Sequence, residues 1–532
     1  MPKKVIVISG PVCSGKSKLA SNIEDNFNAK ILRTVEIIQK VGSIKRHDRL
    51  ALQAEGERLD RETNGRWVLD ELSNIVRDSK EDATFVVDSV RIAQQIEHIR
   101  AAYRPVTHIH LTAPLEELQK RYKKKYKRKS GVPTYEKIRE NTTEKNIESL
   151  SSIADVVINT NRCEERDILV RAASRMSLYG VNCTGYVDII VGGQFGSEGK
   201  GQITAYLANE YDLLVRVGGP NAGHTVFEEP ERYIHHHLPS GTRRGNVPLL
   251  LSPGMVINVE TLLTEISECR VEYNRLNIDP NVMVINSNDI KSEADLVKKI
   301  GSTGQGVGHA TARRILERGD SDLILAKDVL ELKPYIRPAS EVLSKILMGN
   351  GRVLIEGTQG TGLSLYHGLY PYVTSRDTSV SGCLSEVGVS PKYVRRIIMV
   401  CRTYPIRVES PLKGSSGPMG IETSWEEINK RSGIPLSEIQ QNEITSTTKR
   451  KRRVSEFNWY FLRLAAFLNG ATDIALTFTD YLSVNNIKAI RFDQLTQDTI
   501  NFIEEIEQVT KARVSLIGTG FDYRSIIDRR KW

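Results

Sequence analysis

"GGQFGSEGKG", residues 192–201, decides how the larger part of this chain is read. It follows the apolar, β-branched run "YVDIIV" (186–191) and precedes "GQITAYLANEY" (201–211), so the local order is strand, glycine-rich turn, helix. Glycines let backbone N–H groups close on an anion, and the helix N-terminus behind them favours negative charge. A second stretch, "GPVCSGKS" (10–17), satisfies G-x-x-x-x-G-K-[ST] and lies between the strand-like "KVIVIS" (4–9) and a predicted helix. The chain therefore has two phosphate cradles. No repeat of solenoid period relates them, so they belong to two different domains. We place the boundary near residue 180, at the polar joint "VNCTG", giving domains 1–180 and 181–532.

The chain has 532 residues, enough for two or more cores, and its 39% hydrophobic and 26% charged residues match an ordinary globular protein. No apolar run is long enough for a membrane span. The start, "MPKKVIVISG", passes from two lysines into a strand with no signal-peptide core, so the cytoplasm is expected. Six cysteines without a C-x-x-C pair read as reduced, mostly buried thiols and indicate no zinc site. The net charge of +9 comes largely from "KRYKKKYKRK" (120–129) and "KRKRR" (449–453). Such runs are more often solvated faces than nucleic-acid sites, and small acidic partners account for both below.

In the first domain, further strands are expected at "ATFVVDS" (83–89), "VTHIHLT" (106–112) and "ADVVINT" (154–160), with an amphipathic helix at "PLEELQKRYKKKY". This is a parallel α/β alternation. Gly10 and Gly15 permit the tight turn, Lys16 reaches the β- and γ-phosphates, and Ser17 can ligate Mg²⁺. Asp88, after four apolar strand residues, is the second-strand carboxylate for that ion or its waters. The loop with "DSVRIAQQIEHIR" (88–100) and the basic helix resembles small P-loop nucleotide and dephospho-coenzyme A kinases. That resemblance implies that Arg91 contacts the phosphoryl acceptor and that Arg121 or Arg128 meets the transferred group. A sensor or regulatory module is the alternative for this domain.

In the second domain, strands are expected at "DLLVRVGG", "RVLIEG", "RIIMVCRTYPIRV" and "DIALTFTD". The glycine loop is joined by "GGPNAGHTV" (218–226), "GSTGQGVG" (301–308), "IEGTQGTGLSLYHGLYPYVTS" (355–375), "STTKRKRR" (446–453), "LTFTD" (476–480) and "IGTGFD" (517–522). In this order they resemble the adenylosuccinate synthetase family across 183–532. The family joins aspartate to C6 of a 6-oxopurine nucleotide while spending a nucleoside triphosphate.

The resemblance implies roles position by position. Gly196, Gly199, Lys200, Gly201, Thr225, Asp480, Gly518 and Gly520 would hold a donor, ATP or GTP, with Gly223 offering a carbonyl to Mg²⁺. His224 would be the acid at O6, with Gln359 and Asn221 at the 6-oxo region. Thr303 and Thr374 would grip the acceptor 5′-phosphate, and Arg450 would lie against the acceptor. Thr447, Thr448, Lys451 and Arg452 would receive the aspartate carboxylates. A homodimer is also implied. Cations suit the charge that builds during O6 phosphorylation, and guanidinium forks suit a dicarboxylate. A lone histidine is usually structural, as we read "IHHHL" (234–238); the glycine-asparagine setting singles out His224.

Three departures matter. The family loop reads G-D-E-G-K-G with the aspartate as base for purine N1, and here Ser197 stands at that place. A serine hydroxyl is a far weaker base. It does leave room for a guanine 2-amino group and can accept its hydrogen bond, the pattern that the phage 2-aminoadenylosuccinate synthetases resemble. The expected acceptor is dGMP or GMP. The alternatives are a conventional IMP-using synthetase and a nucleotide sensor without turnover. Glu317 occupies the place of an arginine that crosses a dimer interface, with Arg313, Arg314 and Arg318 nearby as substitutes. Phe478 replaces a polar or basic neighbour of Asp480, leaving ATP and GTP both open.

Overall fold

The computed structural model describes residues 4–531 except 45–48, 78, 80–82, 127–132, 177, 179–183, 321, 410–415, 446–449 and 488. The chain divides into two compact units, Met1–Val181 and Asn182–Trp532. Among the described residues no helix is long and apolar enough to cross a membrane.

The first unit is an α/β layer structure with a P-loop. Its strands β1 (Lys4–Ser9), β2 (Lys30–Arg33), β3 (Thr84–Val90), β4 (Val106–Thr112) and β5 (Val156–Asn159) form one sheet in the order β2-β3-β1-β4-β5. Every pairing is parallel. Continuous β-branched strands arise because both faces are buried: Val5, Val7, Phe85 and Val87 pack on one side, Ile6, Ile8 and Val86 on the other. The helices used below are α1 (Lys16–Phe27), α2 (Thr34–Gly42), α3 (Arg49–Thr63), α4 (Trp67–Arg77), α5 (Ala93–Ala102) and α6 (Leu115–Tyr126). In α6, Glu116 and Glu117 open the first turn and Lys123, Lys124 and Lys125 close the last, the polarity that the helix dipole favours. Beneath the loop, the Ser9 hydroxyl lies 2.6 Å from His108 Nε2 and 2.8 Å from His110 Nδ1. Burial pushes both imidazoles down to about 4.

The second unit is built on nine strands: β6 (Tyr186–Gly192), β7 (Leu213–Arg216), β8 (Leu249–Leu251), β9 (Leu276–Ile278), β10 (Arg352–Glu356), β11 (Val394–Arg402), β12 (Asp473–Thr477), β13 (Arg513–Gly518) and β14 (Ile526–Asp528). Their order is β9-β8-β7-β10-β6-β11-β12-β13-β14, parallel except for β14. Alternate residues feed two cores. Val187, Ile189 and Val191 face one, and Ile190, Leu214 and Leu354 the other.

The stretch "RIIMVCRTYPIRV" does not form one strand. It breaks after Arg402, and Ile406–Val408 pairs instead in a small antiparallel sheet with Arg452–Ser455. Pro405 between the two pieces has no N–H for a ladder. Of the five described cysteines, only Cys383 and Cys401 are buried; Cys13, Cys163 and Cys269 are half-buried, so the thiols are less enclosed than composition suggested.

Candidate functional site

In the second unit the glycine loop leaves β6 at Gly192 and enters helix α7 (Lys200–Leu207), whose N-cap is Gly199 at φ 90°. A Cβ on Gly192 would lie 2.4 Å from the Gln359 carbonyl oxygen, so only glycine fits where the two chain segments cross. Ser197 itself takes φ 57°, a left-handed conformation that a residue with a side chain rarely adopts.

The loop is organised by Glu198, which the sequence reading overlooked. Its buried carboxylate accepts from Gln194 N–H at 3.1 Å and Gly196 N–H at 2.8 Å through Oε1, and from Lys200 Nζ at 2.6 Å through Oε2. Thr477 Oγ1 donates to the Glu198 carbonyl at 2.6 Å, tying the loop to β12. The only signal in the sequence was a charged residue inside a glycine turn.

A cavity of about 530 Å³ opens beside this loop, and Ser197, Lys200, Asn221, His224, Gln359 and Thr374 all line it. Gly196, Gly199, Gly201, Gly223, Thr225, Thr303 and Arg452 line it as well. Gln359 Nε2 donates to Thr374 Oγ1 at 2.7 Å and Asn221 Nδ2 to the same oxygen at 3.3 Å. The carbonyl ends of both amides, Gln359 Oε1 and Asn221 Oδ1, are buried with no hydrogen-bond partner among the described residues. Buried acceptors of this kind suit a ligand bearing N–H groups.

His224, at the start of a two-stranded hairpin, is buried in an ionic cluster. Its Nδ1 lies 2.6 Å from Glu356 Oε1 and 2.7 Å from Arg216 Nη1, and Arg216 pairs with Glu356 at 2.9 Å. Burial, reinforced by Arg216, lowers the imidazole to about 3, while Arg216 and His224 hold Glu356 far below the ordinary carboxylate range despite its burial. The ring is therefore neutral at pH 7. With Nδ1 accepting from Arg216 its proton sits on Nε2; with Nδ1 donating to Glu356, Nε2 needs a second proton before it can donate.

Arg452 reaches Ser197. Its Nη2 donates to Ser197 Oγ at 3.4 Å and its Nη1 to Glu443 at 2.9 Å. Glu443 also binds the fully buried Arg402 at 2.7 Å, and that guanidinium lies 4.1 Å from the Phe478 ring centre. The two arginines hold the Glu443 carboxyl down at about 2 against the opposing effect of burial. Arg402 and Glu443 are further residues that the sequence reading did not single out.

Other assignments fall outside the cavity lining. Lys451 is exposed. The Arg450 backbone N–H donates to Thr445 Oγ1 at 2.8 Å, and its side chain does not line the cavity. Asp480, Gly518 and Gly520 do not line it either; Phe478 and Phe521 do. Asp480 is buried with Oδ1 unpartnered among the described residues, and burial raises its carboxyl to about 7. Thr447 and Thr448 lie outside the described residues. Glu317 is exposed, Arg313 is committed to Asp289 at 2.8 Å, and Arg314 donates to the Pro253 carbonyl at 2.8 Å.

A family model described as adenylosuccinate synthetase matches residues 189–329 and 321–491. The chain belongs to the adenylosuccinate synthetase family. It is thus an enzyme of the ligases that form a C–N bond. The adenylosuccinate synthetase of Thermococcus sibiricus is 38% identical over 352 residues, 64% of this chain and 98% of that protein. That of Methanosphaera stadtmanae is 38% identical over 351 residues, 64% of this chain and 97% of that protein. Among solved structures, the fully ligated synthetase of Plasmodium falciparum shares the fold, with a TM-score of 0.55 and 23% identity over 65% of this chain and all of that one. A structure of the cyanophage S-2L succinoaminodeoxyadenylate synthetase, bound to dGMP and dATP as an energy donor, has a TM-score of 0.55 and 25% identity, covering 65% of this chain and 96% of that one. The family match begins after the first unit.

That first unit has its own cavity, of about 810 Å³. Gly15, Lys16, Ser17, Asp88, Arg91 and Arg121 line it. Lys16 Nζ donates to the Gly10 and Pro11 carbonyls at 2.7 Å each. A Cβ on Gly10, at φ 136°, would come within 2.1 Å of the Leu111 carbonyl oxygen. Arg91 is ion-paired with Glu144, and Arg121 donates to Thr160 Oγ1 at 2.9 Å. Arg128 lies outside the described residues.

Proposed function

We propose that the second unit joins L-aspartate to C6 of GMP or dGMP through a 6-phosphoryl intermediate, giving (deoxy)2-aminoadenylosuccinate, and that the first unit is a nucleotide kinase. One observation carries the choice of acceptor: Ser197, where the family has a carboxylate, lines the cavity with its hydroxyl already accepting from Arg452. A hydroxyl has two lone pairs and one O–H. The second lone pair is left for a donor such as the 2-amino group. The orphaned carbonyl ends of Asn221 and Gln359 favour the same donor-rich base. The phage enzyme that resembles this unit was solved with dGMP.

In this reading O6 attacks the γ-phosphorus of the donor as N1 gives up its proton to a water beside Ser197, since the serine is no base. Lys200, the α7 N-terminus and His224 take up the charge that accumulates between the two nucleotides. The amine of aspartate then displaces phosphate from C6, with Arg452 and the 446–453 segment holding its carboxylates.

The residues present fit Mg²⁺ carried on the triphosphate. In the second unit Gly223 offers a carbonyl while Glu198 is occupied by Lys200; in the first, Ser17 and the buried Asp88 line one cavity. When bound, the ion neutralises phosphate charge. The donor for ligation is ATP or GTP. A homodimer is part of the proposal; Arg318, exposed past the helix Val307–Leu316, is the arginine available to cross its interface.

A conventional IMP-using synthetase is the second reading, favoured by the 38% identical relatives, which bear that name. Purified protein with aspartate, Mg²⁺ and ATP or GTP, offered IMP, dIMP, GMP and dGMP, with products identified by mass, separates the two. Preference for IMP would refute the serine account, and no turnover with all four would point to a sensor.

A further inference from the structure

The first-unit cavity has two chemically different ends. One is cationic: Lys16, Arg91, Arg121 and Lys125 line it around the phosphate loop. The other is formed by α2, α3, α4 and α5. Gln53, Gly56, Glu57 and Asp60, spaced three and four residues apart, share one face of α3 and line the cavity. Val35, Ile38 and Leu52 supply apolar wall beside them. Gly56 keeps that wall close: a Cβ there would lie 3.2 Å from Ile38 Cδ1.

At this end the buried side-chain atoms without a partner among the described residues are acceptors. Asp60 Oδ1 accepts from Trp67 Nε1 and Gln95 Nε2, each at 2.7 Å, so both fixed donors fall on one oxygen and Oδ2 is left for a ligand. The Gln95 amide is locked, because its Oε1 accepts the Arg91 backbone N–H at 2.9 Å. It therefore links the phosphate end to the carboxylate end. Glu57 Oε1 and Gln53 Oε1 are buried with no hydrogen-bond partner among the described residues. Burial already raises the Asp60 carboxyl, so a ligand that donates to it relieves a cost the fold carries.

Given the kinase reading of this unit, on which this rests, we propose that its phosphoryl acceptor is a nucleoside monophosphate with a 2-aminopurine-type base, guanine or 2,6-diaminopurine. Such a molecule presents phosphate oxygens to the cations and several N–H donors to Asp60, Glu57 and Gln53. Adenine presents only its 6-amino group, cytosine one amino group, and thymine a single N–H. The transfer is balanced: an acceptor phosphate oxygen forms a bond to the γ-phosphorus of ATP, the β–γ bridging P–O bond breaks, and the products are ADP and a nucleoside diphosphate. Both units would then read the same base feature, the 2-amino group.

The test uses the full chain with ATP and Mg²⁺, without aspartate, and measures the diphosphate of the offered acceptor, whereas ligation leaves only the diphosphate of its donor. GMP, dGMP and the corresponding 2,6-diaminopurine monophosphates should exceed dAMP, dCMP and dTMP by tenfold or more in kcat/KM. Comparing guanine with diaminopurine separates the two sources of the 2-amino group. Glu57→Gln and Asp60→Asn each replace an acceptor with an N–H₂ and should narrow that ratio to threefold or less, mainly through KM for the 2-amino acceptors. Equal use of all bases, or preference for dAMP or a pyrimidine, overturns the inference and leaves the kinase reading intact. Equilibrium dialysis with labelled dGMP covers the case of no turnover. Two bound per wild-type chain and one per Glu57→Gln/Asp60→Asn chain would uphold the pocket while the kinase reading fails; one per chain in both would overturn the pocket.

Discussion

The two phosphate loops keep their lysines in opposite company. In the first unit Lys16 is held by two neutral backbone carbonyls, those of Gly10 and Pro11, whereas in the second Lys200 faces the buried carboxylate of Glu198. Glu198 also takes the N–H groups of Gln194 and Gly196. The second loop thus encloses its own anion, and a triphosphate must share Lys200 with it. In the first loop the two carbonyl oxygens that Lys16 donates to carry no net charge, so an arriving phosphate does not meet a carboxylate there as it does beside Lys200. A shared glycine-lysine pattern therefore covers two electrostatic designs, one poised for exchange of phosphates and one with a preorganised, internally neutral floor.

The strongest test of that contrast is to remove each lysine. Lys16→Ala should lower phosphoryl transfer by about 100-fold or more, the scale of losing a preorganised charge contact, with aspartate ligation kept within about twofold. Lys200→Ala should do the converse. It also strands a buried carboxylate, a loss of about 3–5 kcal/mol, so Glu198→Gln with Lys200→Met should recover thermal stability without recovering ligation. Loss of ligation in a folded Lys16→Ala protein would show that the loops do not work independently.

Ser197→Asp sharpens the comparison next. The new carboxylate sits beside Arg452 and crowds the 2-amino group, so GMP or dGMP ligation should fall and IMP or dIMP ligation rise. A misplaced buried polar contact costs about 1–3 kcal/mol, so the preference should shift by about tenfold to a hundredfold, read from kcat/KM for each acceptor.

A smaller effect follows from Asp480. Its carboxyl is raised to about 7, so it is mostly neutral at pH 6 and mostly ionised at pH 8. Only the carboxylate can accept from both N1–H and the 2-amino group of guanine. GTP-supported ligation relative to ATP-supported ligation should therefore rise over this interval, by less than about tenfold, and Asp480→Ala should flatten the curve. A flat wild-type ratio would show that Asp480 does not read the donor base.

The mildest expected effect concerns stability of the first unit. His108 and His110 are lowered to about 4, so their neutral forms contribute stability that is fully present above the unfolded value of about 6.5 and is lost as pH falls toward 4. Unfolding followed through Trp67, which is packed in that unit's core, should shift to lower temperature over that window. Tm should change by about 2–4 °C per kcal/mol lost for a unit of this size, and His108→Gln should reduce the slope.

The strands and both loops were legible because they are local: β-branched runs mark buried parallel strands, and glycine spacing marks close approach. The partners of the loop residues were not. Arg402, Glu443, Arg452 and Ser197 meet across distant parts of the chain, and nothing near any one of them announces the others. Within the same basic run Lys451 is exposed while Arg452 lines the cavity, a difference that a uniform run of charge does not announce. Pro405 was visible, but its consequence, the transfer of the chain from one sheet to another, depended on where the next strand found a partner.

The position of β6 bears on how the ligase half could be handled as a separate piece. Although it is the first strand of its unit, it is paired on both sides, between β10 and β11. A truncation that starts the polypeptide after Gly192 would remove the spine of the sheet rather than trim a border. A splice upstream of Gly185 spares every strand, and it is there that a protease site or an affinity handle should be introduced to release the ligase intact.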